Sequence, residues 1–131
     1  IILNGHHGNI ISLKLAERKT ILQRRTRIRK IRFYSYWHFM KHEFDHAGFV
    51  ETSIMLAISD KVKMKKAKKG LITKGLSEKE KKRISKLSAK VGGFPQVTRN
   101  GVWGDPTNAT KKDGQRFISE IVRNLAKECQ S

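Results

Sequence analysis

Residues 1–9 read IILNGHHGN, an apolar triplet followed by a loop that carries two glycines and two histidines. The triplet Ile1–Leu3 is typical of a buried strand, and the glycines permit the backbone angles of a tight loop. From Ile10 to about Arg25 the apolar residues recur at roughly helical spacing, with Lys, Arg and Glu between them. A strand, a glycine-rich loop and a helix therefore follow one another.

Residues 27–37 are rich in β-branched and aromatic side chains, which predicts a second strand after this helix. A strand–helix–strand unit implies parallel strands and a right-handed crossover. Ligands bind at the carboxyl ends of such strands. We therefore predict an α/β fold in which residues 4–9 and the stretch after Trp37 face the same crevice.

The remaining elements are predicted from local signals. Gly48–Ile58 has the pattern of a helix buried on one side, starting just after Gly48. Residues 61–92 form an exposed basic insertion with one helix, opened by a Ser77–Glu80 capping box and broken by a Gly92–Pro95 turn. A turn-rich loop at 101–106 precedes a last helix, which Thr107 or Thr110 opens.

Composition limits the classes of function. The 131 residues with 37% apolar content suffice for one domain, and 29 Lys plus Arg against 11 Asp plus Glu give a formal charge of +18. A polyanionic partner must therefore be considered. The single Cys129 allows no disulfide framework or cysteine zinc site within one chain, and a reducing, cytoplasmic setting fits best. The sequence has no apolar run of membrane-spanning length and no signal-peptide pattern, so no membrane contact is expected.

Three segments together resemble the creatininase (creatinine amidohydrolase) family. Residues 4–9 are similar to its NGHxxN loop, residues 45–53 to its HxGxxETS segment, and residues 101–107 to its GxxGDPT-like loop. The resemblance implies a three-layer α/β/α sandwich with a mostly parallel sheet, often hexameric. It also implies hydrolysis of carbon–nitrogen amide bonds by a pair of divalent metals, commonly zinc, manganese or iron. On this basis residues 1–131 are the C-terminal part of one such domain, whose N-terminal half is absent, since Ile1 begins within a strand.

The resemblance implies that His6 is a metal ligand. Creatininase carries a second ligand, a glutamate, at the place that Gly8 occupies here, and Glu51 is the best substitute. An acid within an apolar run is costly to bury unless it is paired or bound to metal. Alternatively, Glu51 is an acidic residue in the first turn of a helix, where the helix dipole favours negative charge.

The departure at Gly8 argues against creatinine as the substrate. It favours the branches of the family that resemble deformylases of pyrimidine biosynthetic intermediates or peptidases of small modified peptides. The expected substrate is therefore a small amide, such as a formamide or a cyclic amide.

His46 matches the catalytic histidine of the family, which passes a proton between metal-bound hydroxide and the leaving nitrogen. Asp45 either contacts substrate or orients an imidazole, or it serves as a helix N-cap or a solvated loop residue. His7, Trp37 and Trp103 are expected to line the substrate crevice.

The family's first half supplies a Glu, a His and a bridging Asp from a segment resembling ExHGxHLPxxTD, which this sequence lacks. A catalytic zinc usually has about three protein ligands. The chain alone is therefore expected to be inactive and to need the N-terminal half or a partner chain, in a homo-oligomer that is a hexamer in the family.

Two alternatives remain open at this point. The first is a basic nucleic-acid-binding module, in which clusters at 24–32, 61–69 and 79–90 contact phosphates while Tyr34, Tyr36 and Trp37 stack on bases. The second is a helix over residues 38–46, which would place His38, His42 and His46 on one face to hold a metal.

Overall fold

The computed structural model describes residues 1–22 and 31–130. The chain forms two compact units, the first made of residues 1–41 and 121–131 and the second of residues 42–120. The last helix, α5 (Lys111–Cys129), contributes its first half to the second unit and its second half to the first.

The first unit contains the predicted strand–helix–strand order. Strand β1 (Ile2–Asn4) leads through a 3-10 turn (His7–Asn9) into helix α1 (Ile10–Leu22), and strand β2 (Phe33–Ser35) follows. The two strands pair in parallel, with Asn4 opposite Ser35 at their carboxyl ends. The prediction of a parallel α/β unit is confirmed.

The second strand is shorter than the sequence suggested. It ends at Ser35, where the backbone N–H of Ser35 donates to Nδ1 of His38 at 3.3 Å and the chain turns into a 3-10 helix, Tyr36–Phe39. Of the aromatic run that indicated strand, Phe33 and Tyr34 lie in β2, whereas Tyr36 and Trp37 form the turn after it. The parts of the predicted helix and strand that fall on residues 23–30 lie outside the described residues, as does part of the basic cluster at 24–32.

The second unit is built around helix α2 (Phe49–Ile58), which starts where the sequence predicted. A short 3-10 turn (Met64–Lys66), helix α3 (Glu78–Ser88) and helix α4 (Gly93–Thr98) follow. The capping box of α3 is confirmed, because Ser77 Oγ accepts from the N–H of Glu80 and Glu80 Oε2 accepts from the N–H of Ser77. At α5, Thr110 Oγ1 accepts from the N–H of Asp113 at 3.0 Å.

One sequence-based expectation was wrong, and one alternative is excluded. Pro95, expected in a plain turn, lies in the first turn of α4, where proline is tolerated because its missing N–H has no helical partner; the break itself is at Gly92, with φ of +69°. No helix spans residues 38–46, because the 3-10 turn ends at Phe39 and Met40 is extended. The three histidines therefore do not line one helical face.

Each unit has a small apolar core. Phe39, Met40 and Ile121 are buried in the first unit, and Val50, Ala109 and Phe117 in the second. In the second unit α5 lies directly on α2, since a Cβ on Gly114 would come within 1.8 Å of the carbonyl oxygen of Ser53. Within residues 1–22 and 31–130, no helix has the length and apolar content required to cross a bilayer.

Candidate active site

The loop after β1 is organised by the side chain of Asn4, which is only 3% exposed. Its Nδ2 donates to the carbonyl of His6 at 2.8 Å and to Ser35 Oγ at 3.2 Å. Its Oδ1 accepts from the N–H of His6 at 3.1 Å and from Asn9 Nδ2 at 3.3 Å. One buried amide thus ties both ends of the loop to the end of β2.

His6 and His7 are exposed on this loop, and each has a defined neighbour. Nδ1 of His6 accepts from the N–H of Gly8 at 3.1 Å. The ring of His7 stacks on Trp37, with centroids 6.2 Å apart and planes at 27°. The structure therefore brings together two of the residues that were expected to line a substrate crevice.

His46 occupies a half-buried position in the second unit. Its backbone pairs with Trp103 in both directions, N–H to O at 3.0 Å and O to N–H at 2.8 Å. Its ring meets Phe94 edge to face at 4.7 Å, and Phe94 in turn stacks on Trp103. Nδ1 of His46 lies 3.7 Å from Oε2 of Glu51. The imidazole is thus held between an aromatic wall and a carboxylate.

Glu51 belongs to the first turn of α2, and its position depends on a strained residue. Oε2 of Glu51 accepts from the backbone N–H of Ala47 at 2.8 Å. Ala47 has φ of +50°, an uncommon angle for a residue with a side chain. Strain of this kind persists only where the surroundings impose it, and it is frequent at functional sites. Glu51 therefore stabilises the bend that presents His46.

Asp45 completes the start of α2. Its Oδ2 accepts from the N–H of Val50 at 2.8 Å and its Oδ1 from the N–H of Glu51 at 3.2 Å. Burial raises the pKa of this carboxyl, while the two hydrogen bonds lower it and the nearby Glu51 charge raises it. Of the roles that the sequence left open, the structure shows the helix cap.

Two glycines allow close packing around Asp45, and one of them belongs to the Trp103 loop. A Cβ on Gly104 would lie 3.0 Å from Cα of Gly48 and 3.2 Å from Cβ of Asp45, and Gly104 has φ of +132°. A Cβ on Gly48 would lie 2.5 Å from Oδ2 of Asp45. The approach of the loop therefore requires glycine at position 104, and glycine at position 48 leaves room for the Asp45 carboxylate.

The expected site residues thus form two groups. His6, His7 and Trp37 lie in the first unit, whereas Asp45, His46, Glu51 and Trp103 lie in the second. The approach of His6 to Glu51, expected for a shared metal, stays a prediction. Among the described residues, no three His, Cys, Asp or Glu side chains cluster in a way that could hold a metal ion.

Sequence reasoning missed three positioning residues. Asn4 and Ser35 fix the histidine loop, and Phe94 packs on the His46 ring. For Asn4 a signal existed, since it ends an apolar triplet at a strand's carboxyl end. Phe94 carried no signal, because its contact with His46 joins residues 48 positions apart.

Comparison with known proteins identifies the family of this chain. The family model for creatininase, described as creatinine amidohydrolase, matches residues 1–129. The chain is 32% identical over 126 residues to a mycofactocin precursor peptide peptidase of Mycobacterium ulcerans (strain Agy99), which covers 93% of this chain and 44% of the relative. It is 38% identical over 83 residues to a protein of the same name from Mycolicibacterium smegmatis (strain ATCC 700084 / mc(2)155), covering 62% of this chain and 30% of the relative. The chain thus spans less than half the length of either relative.

A solved structure, a tryptophan-to-phenylalanine mutant of creatininase, type II, superposes with a TM-score of 0.64 at 21% identity. The match covers 96% of this chain and 53% of that one. It shows that the α/β fold, with its parallel strand pair, is creatininase-like. Together with the family match over residues 1–129, these findings show that the chain belongs to the creatininase family.

Proposed function

We propose that the whole protein hydrolyses carbon–nitrogen amide bonds in a peptide or other small amide, with His46 as general acid and base. The observation that carries this proposal is the half-buried His46 imidazole, whose Nδ1 lies 3.7 Å from the Glu51 carboxylate. Membership of an amidohydrolase family and two relatives named as peptide peptidases also support it. Gly8, in place of the glutamate of creatininase, favours a substrate other than creatinine.

The proposed chemistry uses both partners of the pair. His46 takes a proton from the attacking water as its oxygen bonds to the amide carbon, which makes the ring an imidazolium. The negative charge of Glu51 stabilises that imidazolium at Nδ1. As the carbon–nitrogen bond breaks, the imidazolium returns the proton to the leaving nitrogen. The ring and the carboxylate end the cycle as they began it.

The family implies a divalent metal, which would activate the attacking water. His6 and Glu51 remain our proposed ligands, because imidazole nitrogen and carboxylate oxygen both suit zinc or manganese. A carboxylate can accept the Ala47 N–H at one oxygen and bind a cation at the other. Two donors are fewer than a catalytic zinc normally has. We therefore propose that further ligands come from the rest of the whole protein or a partner chain.

The surface of the first unit supports a need for such a partner. Helix α1 has no buried residue, and Ile11 and Leu22 are 74% and 68% exposed. Ile2 and Leu3 of β1 are also exposed. Apolar residues grouped on adjacent elements are typical of a surface that another chain segment or subunit covers. We propose that the N-terminal half or a neighbouring copy lies there.

The alternative of a nucleic-acid-binding module has weaker support. The positive charge in its favour lies in residues 61–92, which contain thirteen Lys or Arg and two Glu. Its stacking residues are engaged, because the hydroxyl of Tyr34 donates to Glu128 at 2.6 Å and Trp37 stacks on His7. Retention on nucleic acid that falls steeply with salt and ignores sequence would show only unspecific phosphate contact.

The deciding experiment measures amide hydrolysis by the whole protein, with zinc or manganese added, on an N-formyl amino acid and a short peptide. We expect His46→Ala to lower kcat by about 10²- to 10⁴-fold, the usual contribution of a general acid–base. His42→Gln is the matched control, because His42 is exposed in the same segment and packs on Phe49. It should retain activity.

Two further results bear on the same proposal. A chelator should abolish the rate and added metal should restore it, and residues 1–131 alone should hydrolyse nothing. Full activity of His46→Ala would refute the role of His46. Robust activity of residues 1–131 alone would refute the need for further ligands.

A further inference from the structure

The second unit contains a cavity of about 340 Å³ that the proposed chemistry does not use. It shares Ala47 and Thr52 with the His46 segment, because Ala47 follows His46 and Thr52 follows Glu51. Neighbouring residues are about 3.8 Å apart along the chain. Two residues of the cavity lining are therefore direct chain neighbours of the candidate catalytic pair, while His46 and Glu51 themselves do not line it.

The lining of this cavity combines an apolar wall with positive charge. The apolar wall consists of Ala47, Val62, Met64, Ala67, Val102 and Pro106. The polar part of the lining consists of three lysines, one threonine and one asparagine: Lys63, Lys66, Lys68, Thr52 and Asn100. Among the residues described as lining it, none is acidic. Such a surface suits a group that is both apolar and anionic.

The walls of the cavity are tied together by backbone hydrogen bonds. Leu71 N–H donates to the carbonyl of Val102 at 2.9 Å, and Gly70 N–H to that of Gly104 at 3.0 Å. The side chain of Asn100 donates to the carbonyl of Lys69 at 3.2 Å. The lysine-bearing segment is thus fixed to the loop that also pairs with His46. The cavity is preformed, which lowers the entropic cost of binding.

We propose that this cavity is a substrate subsite that binds a carboxylate attached to a short apolar group. The proposal rests on the proposed amide hydrolysis and adds that the preferred substrates carry such a carboxylate near the scissile bond. The apolar part packs on Val62, Met64 and Val102, and the carboxylate pairs with the lysines. Lysine suits this role as a mobile point charge that adapts to more than one substrate.

Hexanoate and hexanamide are suitable probes, because they share an apolar chain and differ in charge. We expect hexanoate to bind the whole protein at least tenfold more tightly than hexanamide, with amide chemical-shift changes at Ala47, Thr52 and Val102. Substitution of both Lys63→Gln and Lys66→Gln should weaken hexanoate binding about tenfold. The matched control, Lys79→Gln with Lys82→Gln, removes two exposed lysines from α3, outside the cavity lining, and should leave it unchanged.

Two results would overturn the proposal. Equal affinity for hexanoate and hexanamide would show that charge is not recognised. An equal loss in both double variants would show that only the general positive potential attracts the anion.

Kinetics separate this proposal from the proposed function. For a carboxylate-bearing amide, the Lys63 and Lys66 double variant should raise KM about tenfold and leave kcat unchanged, whereas His46→Ala should lower kcat. Hexanoate binding that persists in a protein without any hydrolytic activity would refute the hydrolase function and leave the cavity as an anion site. Hydrolysis with no preference for carboxylate-bearing substrates would refute the subsite and leave the hydrolase function intact.

Discussion

The two histidine-bearing segments are held in different ways. His6 lies on an exposed loop whose backbone is tied to one buried side chain, Asn4. His46 is fixed by backbone pairing with Trp103, by the Phe94 ring and by a bend that two carboxylates stabilise. The proposed acid–base is therefore preorganised by its own unit. The proposed metal ligand lies on a loop that is exposed to solvent.

The largest expected effect concerns the close approach behind His46. Gly104→Ala places a side chain at φ of +132° and 3.0 Å from Cα of Gly48. We expect a loss of about 3 kcal/mol in the free energy of unfolding, measured by urea denaturation. Gly101→Ala is the control, because Gly101 has φ of +78° and open space around its Cβ position.

The control should lose about 1 kcal/mol, the cost of the left-handed backbone alone. The difference between the two variants then measures the crowding of Gly48 and Asp45 together with the greater backbone strain at φ of +132° than at +78°. Equal losses would show that the Trp103 loop moves away easily, and that His46 is held no more firmly than His6.

The second prediction tests the loop that carries His6. Asn4→Ala removes four hydrogen bonds of a buried amide and leaves Ser35 Oγ and the His6 backbone without this partner. We expect the free energy of unfolding to fall by about 2 kcal/mol. Asn9→Ala, which removes one bond of an exposed side chain, should cost about 0.5 kcal/mol.

The two asparagine variants also sharpen the comparison through metal binding. Loosening of the loop in Asn4→Ala should weaken zinc binding by the whole protein more than Asn9→Ala does. Equal zinc affinity in the two variants would show that Asn4 does not position the loop for zinc binding.

What the sequence predicted depends on the range of the contacts. The order of β1, α1 and β2, the start of α2 and the Ser77 capping box rest on signals within a few residues, and all were confirmed. The end of β2 was missed, because the aromatic run would suit a longer strand. The strand ends at Ser35, whose N–H donates to the ring of His38. Local patterns specify which elements form better than where they end.

The candidate site shows the same division. The motifs identified His46 and the family, and both the family and the fold were confirmed. The roles of Asp45 and Glu51 could not be decided, since an acid before a helix suits a cap and a site equally. Glu51 accepts from the N–H of Ala47, whose φ is +50°. An alanine in the sequence does not predict such an angle. Contacts such as Phe94 on His46 exist only once the chain has folded.

The smallest expected effect concerns the charge of Asp45. Asp45→Asn keeps one acceptor for the N–H groups of Val50 and Glu51 and turns an NH₂ toward the other. Loss of half the cap should destabilise the protein by about 1 kcal/mol at neutral pH. Because the variant no longer buries a charge, its loss of stability is smaller than the loss expected on replacing an exposed capping carboxylate.

The pH dependence of that difference gives the sharper test. Because the pKa of Asp45 is raised in the folded state, the folded protein binds this proton more tightly than the unfolded chain. The wild type should therefore gain stability relative to Asp45→Asn as the pH falls through the raised pKa, with the full gain reached below the ordinary Asp range. Urea unfolding of both proteins at pH 7, 5 and 4 measures this, and contributions from carboxyl groups that do not interact with Asp45 cancel in the difference. If the difference in free energy of unfolding between the two proteins narrows as the pH falls, the pKa of Asp45 is lowered rather than raised in the folded state. The hydrogen bonds to Val50 and Glu51 would then outweigh burial.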